Sequence, residues 1–452
     1  MNKLDLPYKH VLVLGLAKSG TAAAKTLLFN GKKVRVNDIQ AKESDAIVVE
    51  LQTLGAEVIV GAHPVHVLEN IDLIVKNPGI PYENPVLVKA QEQGVPIITE
   101  IEIAGMIADG DIVGITGSNG KTTTTMLVNE MLLKSNQPVK VAGNIGIVAT
   151  EVAQTLTKDE TMVLELSSFQ LQGIESFKPK IAVLLNIFEA HLDYHKTLKN
   201  YQEAKCNIFK NQTEEDYLVY NAEDPVINLK VVNAKSKLIP FSVNKKMENG
   251  AWIDEHSVYF KDEKIIDLSG IALVGKHNLE NILAAVAAAK LSGASNKGIR
   301  QVLTTFSSVK HRLQFIGEIN QRVFYNDSKA TNILATQKAL ASFQQPVILL
   351  AGGLDRGNGF TDLLPFLTHV KAMVVFGETA NKLKETAVNA GIESIVMVQN
   401  MQQAVDKAYS LSDEKDIVLL SPACASWDQY RTFEERGDMF IQAVHKINEG
   451  LV

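Results

Sequence analysis

A glycine-rich stretch in the middle of the chain, residues 114–122, has the composition of a loop that binds nucleoside phosphates. Its glycines let main-chain N–H groups turn towards phosphate oxygens, and the helix predicted to follow adds partial positive charge. Lys121 supplies a cation for the β- and γ-phosphates, and the Thr122 hydroxyl can bind Mg²⁺. The strict pattern Gly-x-x-x-x-Gly-Lys-Ser/Thr requires glycine where Ile115 stands, so the loop is a tighter variant. The alternative is an ordinary strand-to-helix turn.

Two polar side chains follow the next predicted strands. Glu165 ends one strand, and His191 comes shortly after the strand at 181–185. A carboxylate and an imidazole near a triphosphate can hold a second divalent ion, although each alone is also typical of a helix N-cap or a surface residue. Lys205 lies in a predicted helix, and its local sequence indicates only a solvent-exposed lysine.

The elements that must position these residues alternate between short apolar strands and longer helices, which predicts an α/β fold with parallel sheets. Several strands end at Gly, Asn, Asp or Ser, and ligands bind at the carboxyl ends of such sheets. Residues 235–270 suggest a β insertion of short strands and turns. We predict three domains, at 1–98, 99–308 and 309–452. The predicted strands are 10–14, 33–37, 73–75, 112–115, 162–166, 181–185, 217–220, 347–350, 373–376 and 417–420.

Length and composition agree with this organisation, since 452 residues correspond to about three domains. The 46% hydrophobic and 21% charged residues argue against a disordered or fibrous chain. A net charge of −6 argues against non-specific nucleic-acid binding, so local features must hold any anionic ligand. The two cysteines, Cys206 and Cys424, cannot form a disulfide framework or a cysteine-based zinc site and suit a reducing cytosol.

No apolar run reaches the roughly 18 residues that a membrane helix needs. The apolar residues 11–17 lack a cleavage site and are predicted to form the first β-strand rather than a signal peptide. We therefore expect a cytoplasmic monomer with no nucleic-acid or membrane partner.

A second glycine loop, residues 15–20, follows the first predicted strand and opens a helix. Asp38 lies at the end of the next strand, which is the layout of a dinucleotide-binding fold. Ala17 replaces the middle glycine of the Gly-x-Gly-x-x-Gly pattern, so the indication of NAD is weak. From these residues alone, a dehydrogenase is the alternative to an ATP-dependent enzyme.

Taken together, the motifs resemble those of the Mur ligases, cytosolic amide-forming enzymes of peptidoglycan precursor synthesis. The resemblance spans nearly the whole chain and implies three domains: a Rossmann-like domain that binds a UDP substrate, a central P-loop-type ATPase with a parallel sheet, and a Rossmann-like C-terminal domain. The opening loop and residues 421–437 look most like the member that adds D-glutamate to UDP-N-acetylmuramoyl-L-alanine through an acyl phosphate. The matching residues are 116–122, 143–146, 165–170, 191–193, 205, 275–281, 311–312, 326–332 and 421–426.

The resemblance also implies a role for each matching residue. Lys205 would carry a carbamate formed with CO₂, and the carbamate would help Thr122, Glu165 and His191 to hold two Mg²⁺ ions. Lys121, His191, Lys205 and Lys329 would be the catalytic residues. ATP would bind Gly117, Ser118, Asn119, Gly120, Lys121, Thr122, Thr123, Asn278, Asn281, Arg312 and Asp327.

The two other substrates have their own residues in this resemblance. The UDP substrate would bind Gly15, Leu16, Ala17, Lys18, Ser19, Asp38, Asn77 and Asn144. D-glutamate would bind Thr331, Arg356, Ser426 and Phe433. Arg356 stands where some relatives have a lysine; an arginine can bind a carboxylate with two hydrogen bonds, so its geometry must differ.

Two rival functions remain beside the dehydrogenase. One is another amide ligase on the same scaffold, which adds a different amino acid or adds glutamate to folate. The other is a nucleotide-binding regulatory module without amide synthesis. Lys121, Glu165, His191 and Lys205 argue against the module, because a binding module needs no second metal.

Overall fold

The computed structural model describes residues 4–273, 275–306 and 310–450. The chain forms two compact units, Met1–Phe306 and Ser307–Val452. Three sheets, each dominated by parallel strands, confirm the α/β prediction. The predicted boundary at 308–309 lies outside the described residues, and the division into three domains stays a prediction. Within the described ranges, no helix is both long and apolar enough to cross a membrane.

The first sheet has five parallel strands in the order β3-β2-β1-β4-β5. The chain leaves β1 for β2 on one side and later adds β4 on the other, so the order reverses at β1, where open sheets bind ligands. The strands are β1 (His10–Leu14), β2 (Lys33–Asp38), β3 (Glu57–Val60), β4 (Leu73–Lys76) and β5 (Ile97–Ile98). The helices are α1 (Lys18–Phe29), α2 (Ala46–Thr53), α3 (Pro85–Glu92) and α4 (Glu100–Ile107).

The second sheet has nine strands in the order β14-β13-β12-β11-β10-β9-β6-β8-β7. The three strands within residues 251–267 extend this sheet: the first pairs in parallel with β11, and the two pairings that follow are antiparallel, which confirms the predicted β insertion. The strands are β6 (Asp111–Thr116), β7 (Val139–Gly143), β8 (Thr161–Glu165), β9 (Ile181–Leu184), β10 (Tyr217–Asn221), β11 (Lys237–Ser242), β12 (Ala251–Ile253), β13 (Ser257–Phe260) and β14 (Glu263–Asp267).

Helices cover this sheet because its central strands are apolar throughout; every residue of β9 is buried. Residues 282–289 of α11 are fully buried, since its alanines allow close packing against the strands. The helices are α5 (Lys121–Leu133), α6 (Ala149–Ala153), α7 (Ser168–Leu171), α8 (Leu192–His195), α9 (Leu198–Cys206), α10 (Pro225–Val231), α11 (Lys276–Leu291) and α12 (Asn296–Thr305).

The third sheet, in the second unit, has the order β15-β16-β20-β17-β18-β19, and only the pairing of β15 with β16 is antiparallel. Its strands are β15 (Gln314–Ile319), β16 (Arg322–Asn326), β17 (Val347–Gly352), β18 (Val370–Phe376), β19 (Ser394–Met397) and β20 (Ile417–Leu420). Its helices are α13 (Ile333–Leu340), α14 (Ala380–Asn389), α15 (Met401–Leu411) and α16 (Phe433–Gly450). Short 3₁₀ helices lie at Val65–Leu68, Asn207–Phe209, Leu268–Gly270 and Thr361–Phe366.

Candidate active site

The central phosphate loop lies between β6 and α5, where the strand order of the second sheet reverses. Gly120 has a φ of 83°, and a Cβ there would lie 2.1 Å from Asn281 Oδ1, so only glycine fits. The Asn186 carbonyl accepts from the Ser118 N–H at 2.9 Å, and Asn186 Oδ1 accepts from the Asn119 N–H at 2.9 Å. These bonds fix the loop, and the start of α5 directs main-chain N–H groups and partial positive charge towards the position of a phosphate.

Two lysines converge on one carbonyl oxygen of this loop. Lys121 Nζ donates to Gly117 O at 2.9 Å and to Ser118 O at 3.1 Å. Lys205 Nζ donates to the same Gly117 O at 2.8 Å, and Lys205 is only 2% exposed. Burial first, and the Lys121 charge second, hold the pKa of Lys205 well below its ordinary value. The interpretation of Lys205 as a solvent-exposed lysine is therefore wrong, because α9 packs against the loop.

Glu165 ends β8, paired with Ile115 of the strand that leads into the loop. Asn144 Nδ2 donates to Glu165 Oε1 at 3.0 Å. Glu165 Oε2 is buried and has no hydrogen-bond partner among the described residues. A buried carboxylate oxygen without a donor costs stability, and a hard cation would satisfy it, so Glu165 fits a magnesium ligand.

In the described part of the chain, no group of three His, Cys, Asp or Glu residues could hold a metal ion. Magnesium takes oxygen ligands, which hydroxyl and phosphate groups can also supply.

His191 lies before α8 in a left-handed conformation with a φ of 55°. Its ring centroid is 5.0 Å from that of Phe169 and 6.3 Å from that of Tyr201. The Tyr201 ring lies 4.8 Å from Lys205 Nζ, and the Tyr201 hydroxyl lies 2.8 Å from Ser118 Oγ. Tyr201 therefore joins the imidazole, the buried lysine and the phosphate loop, although the sequence analysis did not single it out.

Asn278 and Asn281, which are predicted to bind ATP, are buried at the beginning of α11. Asn281 Nδ2 donates to Asn278 Oδ1 at 3.0 Å, and Asn281 also lies against Gly120, so the structure brings the pair to the phosphate loop. Thr122 is half-buried and Thr123 is buried in the first turn of α5. The side chains of Asp193, Lys276 and His277, which belong to the motifs above, lie outside the described residues.

A cavity of about 450 Å³ lies in the first unit between the N-terminal loop and the end of β7. Five of the eight residues predicted to bind the UDP substrate line it: Ala17, Lys18, Ser19, Asn77 and Asn144. Asn77 Nδ2 donates to Ser19 Oγ at 3.2 Å, which ties the loop after β4 to the start of α1. The structure thus brings these residues together around one space.

The three remaining residues of that set shape the loop itself. Gly15 has a φ of 97°, and a Cβ there would lie 2.8 Å from Asn77 Cβ. The Leu16 N–H donates to Asp38 Oδ2 at 2.6 Å, while the N–H groups of Gln40 and Ala41 donate to Oδ1. Burial alone would raise the pKa of Asp38, but these donors outweigh it and hold the pKa below its ordinary value.

Glu100 also lines this cavity and was not predicted. Burial raises its pKa to about 7, and the Thr150 N–H donates to Oε1 at 2.6 Å. No motif surrounds this residue in the sequence, so only the fold shows that it faces the cavity.

In the second unit, Asp327 follows β16 and accepts from the Leu313 N–H at 3.1 Å and from Ser421 Oγ at 2.9 Å. Burial raises the pKa of Asp327 to about 7, and the charge of Arg312 opposes this rise. Lys329 Nζ lies 5.5 Å from the Phe433 ring centroid. The Thr331 N–H donates to the Lys329 carbonyl oxygen at 2.9 Å. Three further residues of the predicted site, Lys329, Thr331 and Phe433, therefore lie close together.

Ser426 and Arg356 complete the predicted set. Ser426 Oγ is buried and has no hydrogen-bond partner among the described residues, which fits a hydroxyl that binds a ligand. The guanidinium carbon of Arg356 lies 5.2 Å from the ring centroid of Trp427. Trp427 immediately follows Ser426 in the sequence. The structure therefore places Arg356 beside Trp427, the neighbour of Ser426 in sequence, and the D-glutamate assignment stays a prediction.

Arg436 is a further residue that the sequence did not indicate. It is 0% exposed, and its guanidinium donates to main-chain oxygens of Ser328 at 2.9 Å, Cys424 at 3.0 Å and Gly352 at 3.3 Å. Burial lowers its pKa to about 10. One cation thus holds together the three strand-end loops that carry Lys329, Arg356 and Ser426. The charged sequence around Arg436 is instead typical of an exposed helix.

Comparison with known protein families identifies the family of this chain. Three family models match in order: "Mur ligase MurD-like, N-terminal domain" at residues 9–99, "Mur ligase middle domain" at 115–289 and "Mur ligase, glutamate ligase domain" at 311–424. The chain belongs to the Mur ligase family.

Two curated relatives that match nearly the whole chain carry the same name. A protein from Oceanobacillus iheyensis named UDP-N-acetylmuramoylalanine--D-glutamate ligase is 61% identical over 448 residues, covering 99% of this chain and 100% of the relative. A protein of the same name from Geobacillus kaustophilus is 57% identical over 442 residues, covering 97% and 98%.

Solved structures share the fold at much lower identity. The UDP-N-acetylmuramate-alanine ligase of Thermotoga maritima has a TM-score of 0.59 at 19% identity, covering 97% of this chain and 100% of that one. The MurF ligase of Thermotoga maritima in complex with ADP has a TM-score of 0.56 at 18% identity, covering 98% and 96%.

Proposed function

We propose that this chain is an ATP-dependent ligase that joins D-glutamate to UDP-N-acetylmuramoyl-L-alanine during peptidoglycan precursor synthesis. The observation that carries this proposal is the 61% identity, over essentially the whole chain, to a relative with that name. The chemistry of the site agrees, because a phosphate loop, a buried lysine beside it and a cavity lined by the N-terminal loop are what such a reaction needs.

The reaction must overcome the poor reactivity of a carboxylate. Transfer of the γ-phosphoryl group of ATP to the terminal carboxylate gives an acyl phosphate and ADP. The amine of D-glutamate then attacks the acyl carbon, the amide forms as the amine loses a proton, and phosphate leaves. Both the carboxylate and the γ-phosphate are anionic, so Lys121 and Lys329 act by offsetting their repulsion and by orienting them. The fixed phosphate loop contributes alignment rather than covalent help.

Magnesium would be held by Thr122, Glu165, His191 and a carbamate on Lys205, in a site for two ions. When bound, Mg²⁺ supplies positive charge that neutralises phosphate oxygens. The orphaned Glu165 Oε2 supports this assignment. The low pKa of Lys205 supports the carbamate, because only a neutral amine attacks CO₂; its nitrogen bonds to the carbon and releases a proton.

Within this proposal, each substrate has its own residues. The residues assigned to ATP are 117–123, Asn278, Asn281, Arg312 and Asp327. The UDP substrate binds Gly15, Leu16, Ala17, Lys18, Ser19, Asp38, Asn77 and Asn144. D-glutamate binds Thr331, Arg356, Ser426 and Phe433. The domains are 1–98, 99–308 and 309–452, and the enzyme acts as a cytoplasmic monomer without nucleic-acid or membrane partners.

The test is phosphate release from ATP with Mg²⁺, bicarbonate and UDP-N-acetylmuramoyl-L-alanine, comparing D-glutamate with L-glutamate, L-lysine and L-alanine. We expect release with D-glutamate alone, together with the matching mass gain on the UDP substrate. Release with a different amino acid would keep the ligase chemistry and overturn the roles of Arg356, Ser426 and Phe433. No release with any acceptor would overturn the proposed function.

A further inference from the structure

A buried lysine lies where the N-terminal sheet meets the helix that follows His191. Lys76 ends β4 and is only 1% exposed. Its Nζ donates to the Asn77 carbonyl at 3.3 Å, the Pro78 carbonyl at 3.2 Å and the Tyr194 hydroxyl at 3.0 Å. In the described ranges, no carboxylate forms an ion pair with Lys76, so its acceptors are neutral oxygens.

Two aromatic rings complete the surroundings of this ammonium group. Lys76 Nζ lies 4.8 Å from the Tyr82 ring centroid and 5.7 Å from that of Tyr194. The Tyr82 ring lies within the range of cation–π attraction, whereas Tyr194 is approached at its hydroxyl edge, where the contact is the hydrogen bond described above. The Tyr194 hydroxyl also lies 3.0 Å from the Pro78 carbonyl oxygen and 3.1 Å from that of Ile80, and donates towards both. We call Lys76, Tyr82 and Tyr194 the lysine clamp.

The lysine clamp joins two parts of the candidate site. Asn77 and Pro78, whose carbonyl oxygens accept hydrogen bonds from the clamp, line the 450 Å³ cavity assigned to the UDP substrate. Tyr194 belongs to α8, which begins immediately after His191. The clamp therefore connects the loop that would contact the sugar nucleotide with the helix whose N-cap is a proposed magnesium ligand.

Burial of the Lys76 charge does not favour the stability of the fold. Desolvation lowers the pKa of Lys76 to about 7, which means that burial of its charge is costly. A methionine of similar length would fill the same space without that cost, and apolar replacement of buried charges is often neutral or stabilising. A lysine at this position therefore calls for a role beyond packing.

We infer that Lys76 is a positioning residue that ties the substrate loop at 77–80 to α8, so that binding of the UDP substrate and placement of His191 are coupled. This inference rests on the proposed function, since it takes the cavity to hold the UDP substrate. In this assignment Lys76 contacts none of the three substrates and acts through Asn77, Pro78 and Tyr194.

The test is a double-mutant cycle with Lys76→Met, Tyr194→Phe and the double variant. We would measure the Kd of UDP-N-acetylmuramoyl-L-alanine by titration calorimetry without ATP, the KM of D-glutamate in the full reaction, and the unfolding midpoint. Lys76→Met should weaken binding of the UDP substrate about tenfold, the order of one lost charge-assisted hydrogen bond. The double variant should bind no more weakly than Lys76→Met, and the KM of D-glutamate should stay within about twofold because the clamp shares no residue with that site.

Glu83→Gln provides a matched control. Glu83 and Lys196 form an exposed ion pair of 3.3 Å between the same two segments. Because exposed pairs contribute little, this variant should bind the UDP substrate within about twofold of the wild type.

Additive effects of the two clamp mutations, or unchanged binding in Lys76→Met, would overturn the coupling while leaving the ligase function intact. A lowered unfolding midpoint with unchanged Kd would show a role in stability alone. A wild-type protein that binds no UDP substrate would overturn the proposed function and the clamp's role with it.

Discussion

Replacement of Lys205 by methionine separates the role of its amine in folding from its role in the reaction. Among the described residues the amine makes one hydrogen bond, to Gly117 O at 2.8 Å, and that oxygen also accepts from Lys121 Nζ at 2.9 Å. The carbonyl therefore keeps a donor in Lys205→Met. The loss of one net hydrogen bond costs about 1 kcal/mol, and relief of the buried amine's desolvation offsets it. The unfolding midpoint should change by less than about 4 °C.

Activity should respond very differently. Loss of a residue that hydrogen-bonds to a metal ligand typically lowers metal affinity or activity by ~10–100-fold. Loss of the proposed ligand itself should cost more, so kcat/KM should fall at least about 100-fold. The wild type should also need CO₂. An ordinary lysine amine is neutral in about one molecule per thousand at pH 7.4, and the low pKa of Lys205 makes the reactive form more abundant. Activity should therefore drop in CO₂-depleted buffer and return with bicarbonate.

The assay is phosphate release with all three substrates, with and without bicarbonate. Lys210→Met is the matched control, because Lys210 also donates to a main-chain oxygen, that of Ile174, and has a pKa lowered by burial. It should retain wild-type activity and CO₂ dependence. In Lys205→Ala, acetate or formate should restore part of the activity. A Lys205→Met enzyme within about threefold of wild-type kcat/KM, a margin of less than 1 kcal/mol, would refute the carbamate role.

Three further substitutions test other parts of the site. Gly120→Ala should raise the KM of ATP at least about tenfold, because Cβ would collide with Asn281 and the left-handed backbone costs about 1–2 kcal/mol; an unchanged KM would contradict the loop's role. Burial raises the pKa of Asp327 to about 7, so its contribution to stability is lost as pH rises from about 4 through about 7. The free energy of unfolding of Asp327→Asn minus that of the wild type, measured with urea, should accordingly grow by about 3 kcal/mol from pH 5 to pH 8. A difference that does not change with pH would refute this. Ser426→Ala removes a buried hydroxyl without a partner among the described residues, so stability should change by less than about 1 kcal/mol while the KM of D-glutamate rises about tenfold; an unchanged KM would exclude Ser426 from the D-glutamate site.

Features with local causes could be predicted from the sequence. The strands at 10–14 and 417–420 match β1 and β20, because short apolar runs bounded by polar or glycine residues have few alternatives. The phosphate loop and Glu165 at the end of β8 also follow from local patterns. Strand ends shifted elsewhere by one to three residues, as at Val370–Phe376, because hydrogen bonding to the neighbouring strands decides where pairing begins and ends.

Features with long-range causes could not be predicted in this way. The burial of Lys205 depends on α9 packing against a loop 88 residues earlier. Arg436 bonds to Ser328, 108 residues away, and nothing near it in sequence distinguishes it from an exposed helix arginine. Tyr201 is likewise defined by contacts with Ser118 and His191. Sequence-local reasoning assigns such residues to the surface, since charged and hydroxyl groups are usually exposed.

The two buried lysines share one physical cause and differ in what surrounds them. Burial lowers the pKa of both amines, to about 7 for Lys76, so in both the neutral form that attacks CO₂ is more abundant than in an ordinary lysine. Lys76 faces three oxygen acceptors and the Tyr82 ring, which stabilise an ammonium group and would repel the negative charge of a carbamate. Lys205 has one carbonyl partner and one ring, and it lies close enough to Lys121 for that cation to disfavour an ammonium and to favour a carbamate. The neighbours, rather than burial itself, therefore distinguish Lys76, whose surroundings fit a structural cation, from Lys205, whose surroundings fit the proposed carbamate.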